Sequence, residues 1–271
     1  MKKTVLAVML LRLSVGFLLP GQTGGGYVDA ILVVPESYRY AKVVPEMNVR
    51  YQWWFETDRV AVKTSGWQLH FMDTDFQLIL NRKTKRLTIV NLKEKTFVIA
   101  DLEKKPLVYA PDNYMAGLSN VFYHASYQKS MSNEHKKLLN RNAEQYDWHI
   151  KLKEGTLKAR ERIRRVWVST ELPFDPQLYN DALRWIRTFA NLHTDYFKKL
   201  SEMKGFVMKS EETIYSRGSK KHWRFTVKKI SKQPAPATVF SIPEGFKIKE
   251  KLSDNDLWLL KCVFLYPRIL Q

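Results

Sequence analysis

Lys158, Arg160, Arg162 and Arg164 stand at every second position. On a strand, alternate residues share a face, so this spacing predicts one row of four cations. Lys151 and Lys153 extend the pattern on the run before it. A row of this kind suits an anion: a lipid head group, lipopolysaccharide or an acidic polysaccharide. Each such cation near an anionic membrane surface contributes ~1 kcal/mol. The competing reading is a solvated strand face that serves solubility. The acids offer less. Asp73 and Asp75, and Asp254 and Asp256, are two apart, but neither pair continues with the spacing of a calcium loop. Both pairs read as turn residues. The six histidines lack the close spacing of a zinc site, and Cys262 is the single cysteine, set in an apolar run. No Gly-x-Ser-x-Gly elbow occurs. No catalytic residue, metal site or cofactor is expected. An enzyme built from dispersed residues is the reading against which this one stands.

The elements that position these groups read as β first. Trp67, Leu69 and Phe71 alternate with polar residues, and Leu78/Leu80, Leu87/Ile89 and Phe97/Ile99 follow in short runs with polar breaks. That pattern predicts an antiparallel meander. Part of Asp112–Asn142 reads as helical, with Met115, Leu118, Val121 and Phe122 near helical spacing, or equally as a long mobile loop or lid. Tyr146, Trp148, Ile150 and Leu152 then alternate with polar neighbours, and Leu157–Ser169 continues as a strand ending in Val166-Trp167-Val168. Asp175–Met203 reads as the principal helix, with Asp175 as cap, Pro176 at the first helical position and Gly205 as the stop. Its apolar stripe includes Leu178, Ala182, Trp185, Ile186 and Phe189. Phe206–Tyr215 and the run around Trp223, Phe225 and Val227 close the domain as two strands around Arg217-Gly218-Ser219.

The start of the chain has the order of an export signal. Lys2 and Lys3 precede an apolar stretch, Thr4–Leu19, broken by Arg12, and small residues follow to Gly26. Ser14-Val15-Gly16 and Gly24–Gly26 both offer cleavage positions. The expectation is a signal peptide over residues 1–26, one β-rich domain over 27–256 and an apolar tail over 257–271. The location expected is the periplasm or outside, or, with an uncleaved signal, the inner membrane. The first 26 residues carry Lys2, Lys3 and Arg12 and no acid, leaving +15 of the net +18 on the rest. Export argues against nucleic acid as the partner of that charge.

Four short motifs carry a likeness. They are Arg86–Asn91 with Lys95-Thr96-Phe97, Arg165–Ser169 followed by Leu172-Pro173 and a helix, Lys204–Val207, and the turn Phe240-Ser241-Ile242-Pro243-Glu244-Gly245-Phe246. In this order, over about Arg50 to Lys251, the chain resembles a family of exported bacterial proteins of unknown function similar in fold to the LolA/LolB-type lipoprotein carriers. The resemblance implies an α+β fold: a strongly curved antiparallel sheet, an unclosed half-barrel, with helices on its concave face. It implies an apolar cavity able to hold a lipid or lipoprotein acyl chain. The residues expected to line it are Trp148, Ile150, Trp167 and Trp223 with Phe225 on the sheet, facing Trp185, Ile186 and Phe189 on the helix. The function expected is that of a carrier or sensor in the cell envelope. The alternatives are a non-catalytic module that binds an anionic envelope component through Lys158, Arg160, Arg162 and Arg164, and an uncharacterised enzyme.

Overall fold

The computed structural model describes residues 25–39, 42–66, 68–69, 72–73, 75–104, 125–152, 161–189, 203–216, 219–253 and 256. The described residues begin with β1 (Gly26–Val34), a small hairpin of β2 (Ser37–Arg39) and β3 (Lys42–Val44), then β4 (Met47–Phe55) and β5 (Arg59–Ser65). A second small hairpin, β6 (Gln68–Leu69) and β7 (Met72–Asp73), leads to β8 (Phe76–Asn81), β9 (Arg86–Asn91) and β10 (Thr96–Asp101). The later part brings β11 (Ala125–Leu138), β12 (Arg141–Leu152), β13 (Glu161–Ser169), helix α1 (Pro176–Phe189), β14 (Phe206–Ser216) and β15 (Ser219–Lys232). A 3-10 turn at Ala237–Phe240 and β16 (Lys247–Ile248) follow.

Twelve of these strands form one sheet in the order β11-β12-β13-β14-β15-β1-β4-β5-β8-β9-β10-β16. Every neighbouring pair is antiparallel except β10 with β16. Two meanders are thus joined where β1 pairs with β15 on one side and β4 on the other. The sheet does not close: among the described residues, β11 and β16 are its outer strands. It does curve. Phe206 of β14 sits edge-on to Trp53 of β4, with ring centroids 5.5 Å apart. Those strands are three places apart in the sheet, or ~14 Å if it were flat.

Turn chemistry explains much of this meander. Asn81 Oδ1 accepts from the Thr84 amide, and Asn91 Oδ1 accepts from the amides of Lys93 and Glu94. An Asn side chain folded back on its own backbone is a standard way to start a tight turn. Each turn then ends in a lysine of positive φ, Lys85 and Lys95. The β11–β12 hairpin corrects the sequence expectation of helix within Asp112–Asn142, since Ala125–Leu138 is a strand. Its helix formers are overridden by a long ladder to β12. The turn is made by Leu139 and Asn140, with φ of +51° and +59°. Two left-handed residues in a two-residue loop match the right-handed twist of the strands they join. The usual Asn-Gly signal is missing, so the sequence hid it.

The main core lies on one face, and two smaller buried clusters, Tyr27-Trp54-Ala61-Val239 and Ala143-Trp167-Met208, lie on the other. Val28, Trp53, Val62, Leu78, Ile89 and Val98 pair in succession across six strands, and all six are buried. We call this side the core face and the other the outer face. Leu178, Tyr179, Ala182 and Leu183 of α1 are buried in the same cluster. Asp175 caps α1 as expected, its Oδ1 accepting from the Gln177 amide at 2.8 Å. Arg82 reaches Asp181 at 3.3 Å and ties α1 to the β8–β9 turn. Residues 190–202, which the sequence assigned to the helix, lie outside the described residues.

Gly205 precedes β14 with φ +105°, and a Cβ there would stand 2.5 Å from the Ser169 carbonyl oxygen. Gly205→Ala is therefore expected to lower stability by about 1–3 kcal/mol from backbone strain, before the clash is counted. A lower denaturant midpoint at unchanged slope is the result that checks it.

Candidate functional site

The strand β13 carries the residues that sequence spacing singled out. Its ladder sets Arg162 opposite Ile214, Arg164 opposite Glu212 and Val166 opposite Ser210. On the other side Trp148 pairs with Arg164 and Ile150 with Arg162. Through β14, Glu212 meets Trp223 and Ser210 meets Phe225. Trp148, Val166, Ile214, Trp223 and Phe225 all belong to the core cluster. Arg162, Arg164, Ser210 and Glu212 alternate with outer-face residues in step with them, so four polar side chains sit on the core face.

Arg164, Ser210 and Glu212 are fully buried, and the Arg162 side chain is 13% exposed. This corrects the expectation of a solvated basic face: Arg162 and Arg164 point into the fold. Lys158 and Arg160 lie outside the described residues. The physical reason is the partner row. Glu212, opposite Arg164 and 3.8 Å from Arg162 through Oε1, supplies an acid inside the sheet that strand periodicity alone could not reveal.

The cluster is incompletely satisfied. At 3.8 Å the Arg162–Glu212 contact is Coulombic and too long for a hydrogen bond. Among the described residues, neither Glu212 oxygen has a hydrogen-bond partner, nor do the Ser210 hydroxyl and Arg162 Nε. Buried polar groups are nearly always paired, and leaving one unpaired costs roughly 1–3 kcal/mol. Burial pushes the Glu212 carboxyl above the usual carboxylate range, against the pull of Arg162 and Arg164. The proton-bound form of Glu212 is thereby favoured, which turns an acceptor into a potential donor.

The core face is zoned. The row Val28–Trp53–Val62–Leu78–Ile89–Val98 is wholly apolar apart from an indole N–H, and so is the next row, Gly26–Phe55–Val60–Leu80–Leu87–Ala100. Arg162, Arg164, Ser210 and Glu212 lie nearer the end where β13 begins and β14 turns into β15. We call that end the rim. An amphiphile has the same division, with a polar end and an apolar length.

The expected cavity residues divide. Trp148, Trp223 and Phe225 share the core face. Trp167 does not: it is buried on the outer face with Ala143 and Met208. Its indole is overlaid by Lys209 at 4.8 Å, Lys136 at 5.8 Å and Arg165 at 5.9 Å. Being one residue from Val166 and three from Arg164, Trp167 must face away from both. Ile150 is placed by its ladder alone, and Trp185, Ile186 and Phe189 lie within α1; the described residues include none of these four side chains. Sequence reasoning missed Ser210 and Glu212. Their signal was present as Ser210-Glu211-Glu212 inside an otherwise alternating strand. Trp53, stacked on Tyr51 with centroids 5.1 Å apart and edge-on to Phe225, was also missed.

Of the other acids, exposed Asp75 fits the expected solvated turn, whereas Asp73 lies in β7 and Asp256 is buried in an ion pair with Lys249. Asp75 accepts from the Gly66 amide, and Asp256 accepts from Lys249 Nζ and from the Ser253 amide and hydroxyl. Among the described residues no helix is long and apolar enough to cross a membrane.

No family model matches the chain, and no curated protein matches it. Solved structures give distant likenesses. One is PNGF-II, at 11% identity and a TM-score of 0.36, covering 91% of this chain and 34% of that one. This chain thus spans about a third of its length. Another is a DUF1329 family protein from Desulfovibrio piger, at 6% identity and a TM-score of 0.27, covering 81% of this chain and 90% of that one. What the chain shares with either is, at these scores, no more than a distant likeness of shape.

Proposed function

We propose that this protein is an envelope carrier or sensor that binds a lipid or a lipoprotein acyl chain against the core face of its unclosed sheet. One observation carries the reading. A largely apolar, aromatic face holds Arg162, Ser210 and Glu212, whose buried polar atoms make no hydrogen bond among the described residues. A sheet that only had to fold would gain by filling those positions with apolar residues. A face that receives a molecule with an apolar length and a polar end would keep them. The resemblance of the sequence motifs to LolA/LolB-type carriers supports the same reading, as does the curved, unclosed antiparallel sheet. The alternative of a basic strand face on an anionic polymer loses Arg162 and Arg164, which face inward.

The test is mass spectrometry of lipids extracted from the protein purified without detergent, together with uptake of a fluorescent fatty acid. A stoichiometric acyl-chain ligand, or saturable uptake at one site, is expected. A protein that carries no lipid and takes up no probe, while unfolding cooperatively, overturns the reading.

A further inference from the structure

The polar patch has its own chemistry, and it says more about the ligand than the apolar face does. Arg162, Ser210 and Glu212 lie on the two adjacent strands β13 and β14, on one face. Arg162 Nε–H and the Ser210 hydroxyl are buried without hydrogen-bond partners among the described residues. Arginine offers donors only, in a planar fork that fits an oxyanion with two parallel hydrogen bonds. Serine can turn its hydroxyl to donate. Two guanidiniums, Arg162 and Arg164, stand beside one buried acid, Glu212. An ammonium head group would have to enter beside both of them, against like charge. A neutral ester offers one weak acceptor and leaves the fork unmet.

Resting on the acyl-binding reading above, we propose that Arg162, Ser210 and Glu212 form the subsite for an oxyanion head group, a carboxylate or phosphate, on a single apolar chain. The chain would lie from this patch toward Phe225 and Trp53, away from the rim. Glu212 with its proton donates a third hydrogen bond to the anion. The raised affinity of Glu212 for its proton supports that role.

The experiment compares dodecanoate, dodecyl phosphate, methyl dodecanoate and inorganic phosphate as competitors of a fluorescent fatty acid on the full chain. The acid or the alkyl phosphate is expected to bind about tenfold tighter than the ester, as one charge-assisted hydrogen bond would give. Whichever of the two anions binds tighter identifies the head group. Arg162→Met should bring that anion down to the level of the ester and leave the ester unchanged. Glu212→Gln, which keeps a donor, should preserve the preference. If Arg162→Met does not fold, Ser210→Ala carries the same comparison, with a few-fold loss on the anion alone. Equal binding of anion and ester overturns the subsite while the acyl reading stands. Inorganic phosphate binding as tightly as the alkyl phosphate also overturns it, since the chain would then contribute nothing. No binding by any chain-bearing competitor, with no uptake of the probe, overturns both.

Discussion

Trp53→Ala is expected to destabilise the protein by about 3–5 kcal/mol, the range for removing a large aromatic side chain from a packed core. Trp53 is fully buried. It stacks on Tyr51 and meets Phe206 and Phe225 edge-on. Those rings come from β4, β14 and β15, so the indole spans the junction of the two meanders. Neighbouring rings cannot collapse into the space without leaving their own contacts: Phe206 is also held edge-on by Phe55 and by Phe174. For a domain of this size the loss corresponds to a fall in Tm of roughly 6–20 °C. Thermal unfolding followed by near-ultraviolet circular dichroism measures it directly. A fall of only a degree or two would mean that the junction is looser than the ring geometry shows. Trp53→Phe, which keeps much of the volume, should recover a large part of the difference.

Glu212→Lys is the second large effect. It would place a buried cation beside Arg162 and Arg164, with no acid opposite either of them in the β14 ladder. Leaving buried charge uncompensated costs on the order of 3–5 kcal/mol or more, so the variant should fail to accumulate in folded form. Glu212→Gln separates charge from packing. Burial raises the carboxyl of Glu212 in the folded state above its value in the unfolded chain. The folded state therefore binds the proton more tightly, and this contribution to stability is full below the ordinary carboxylate range. It is lost as pH rises through the higher, folded-state value. The wild type should lose stability over that rise, and Glu212→Gln should lose less. Denaturant midpoints of the two proteins at matched pH give the comparison. Parallel pH profiles would show that Glu212 is already ionised inside the sheet and paired with arginine.

How far the sequence disclosed this site is a matter of which physical signal each residue carries. Period-2 alternation showed correctly that Arg162 and Arg164 share one face and that Trp167 takes the other. It could not say which face is inside. Charge and aromaticity suggested cations out and tryptophan in, and the structure has the reverse. The deciding information was Glu212, about fifty positions along the chain, which alternation cannot connect to β13. Trp167 is overlaid outside by the cationic ends of Lys136, Arg165 and Lys209, and is buried on the outer face with Ala143 and Met208, apart from the main core. Asp175 and Pro176 at the start of α1 were legible because capping is local. The β8–β9–β10 meander was legible because its turns are polar and its strands apolar. The Leu139-Asn140 turn was not, because nothing about leucine announces a left-handed backbone.

The place of β1 has a kinetic consequence. Gly26 pairs with Lys232 on one side and with Phe55 on the other. Until β15 arrives, the early meander ends in an open strand at β1, and the late one has no strand to join. High contact order slows folding, because loop closure must be met before the contacts it allows can form. The two meanders should therefore collapse separately and fast, with a slower shared step when β1 and β15 zip together. A chain stopped short of β15 would expose the backbone of a long, apolar edge strand, a template for pairing with other chains. Nascent or truncated forms of this protein should accordingly need shielding from one another until residue 232 is free to pair.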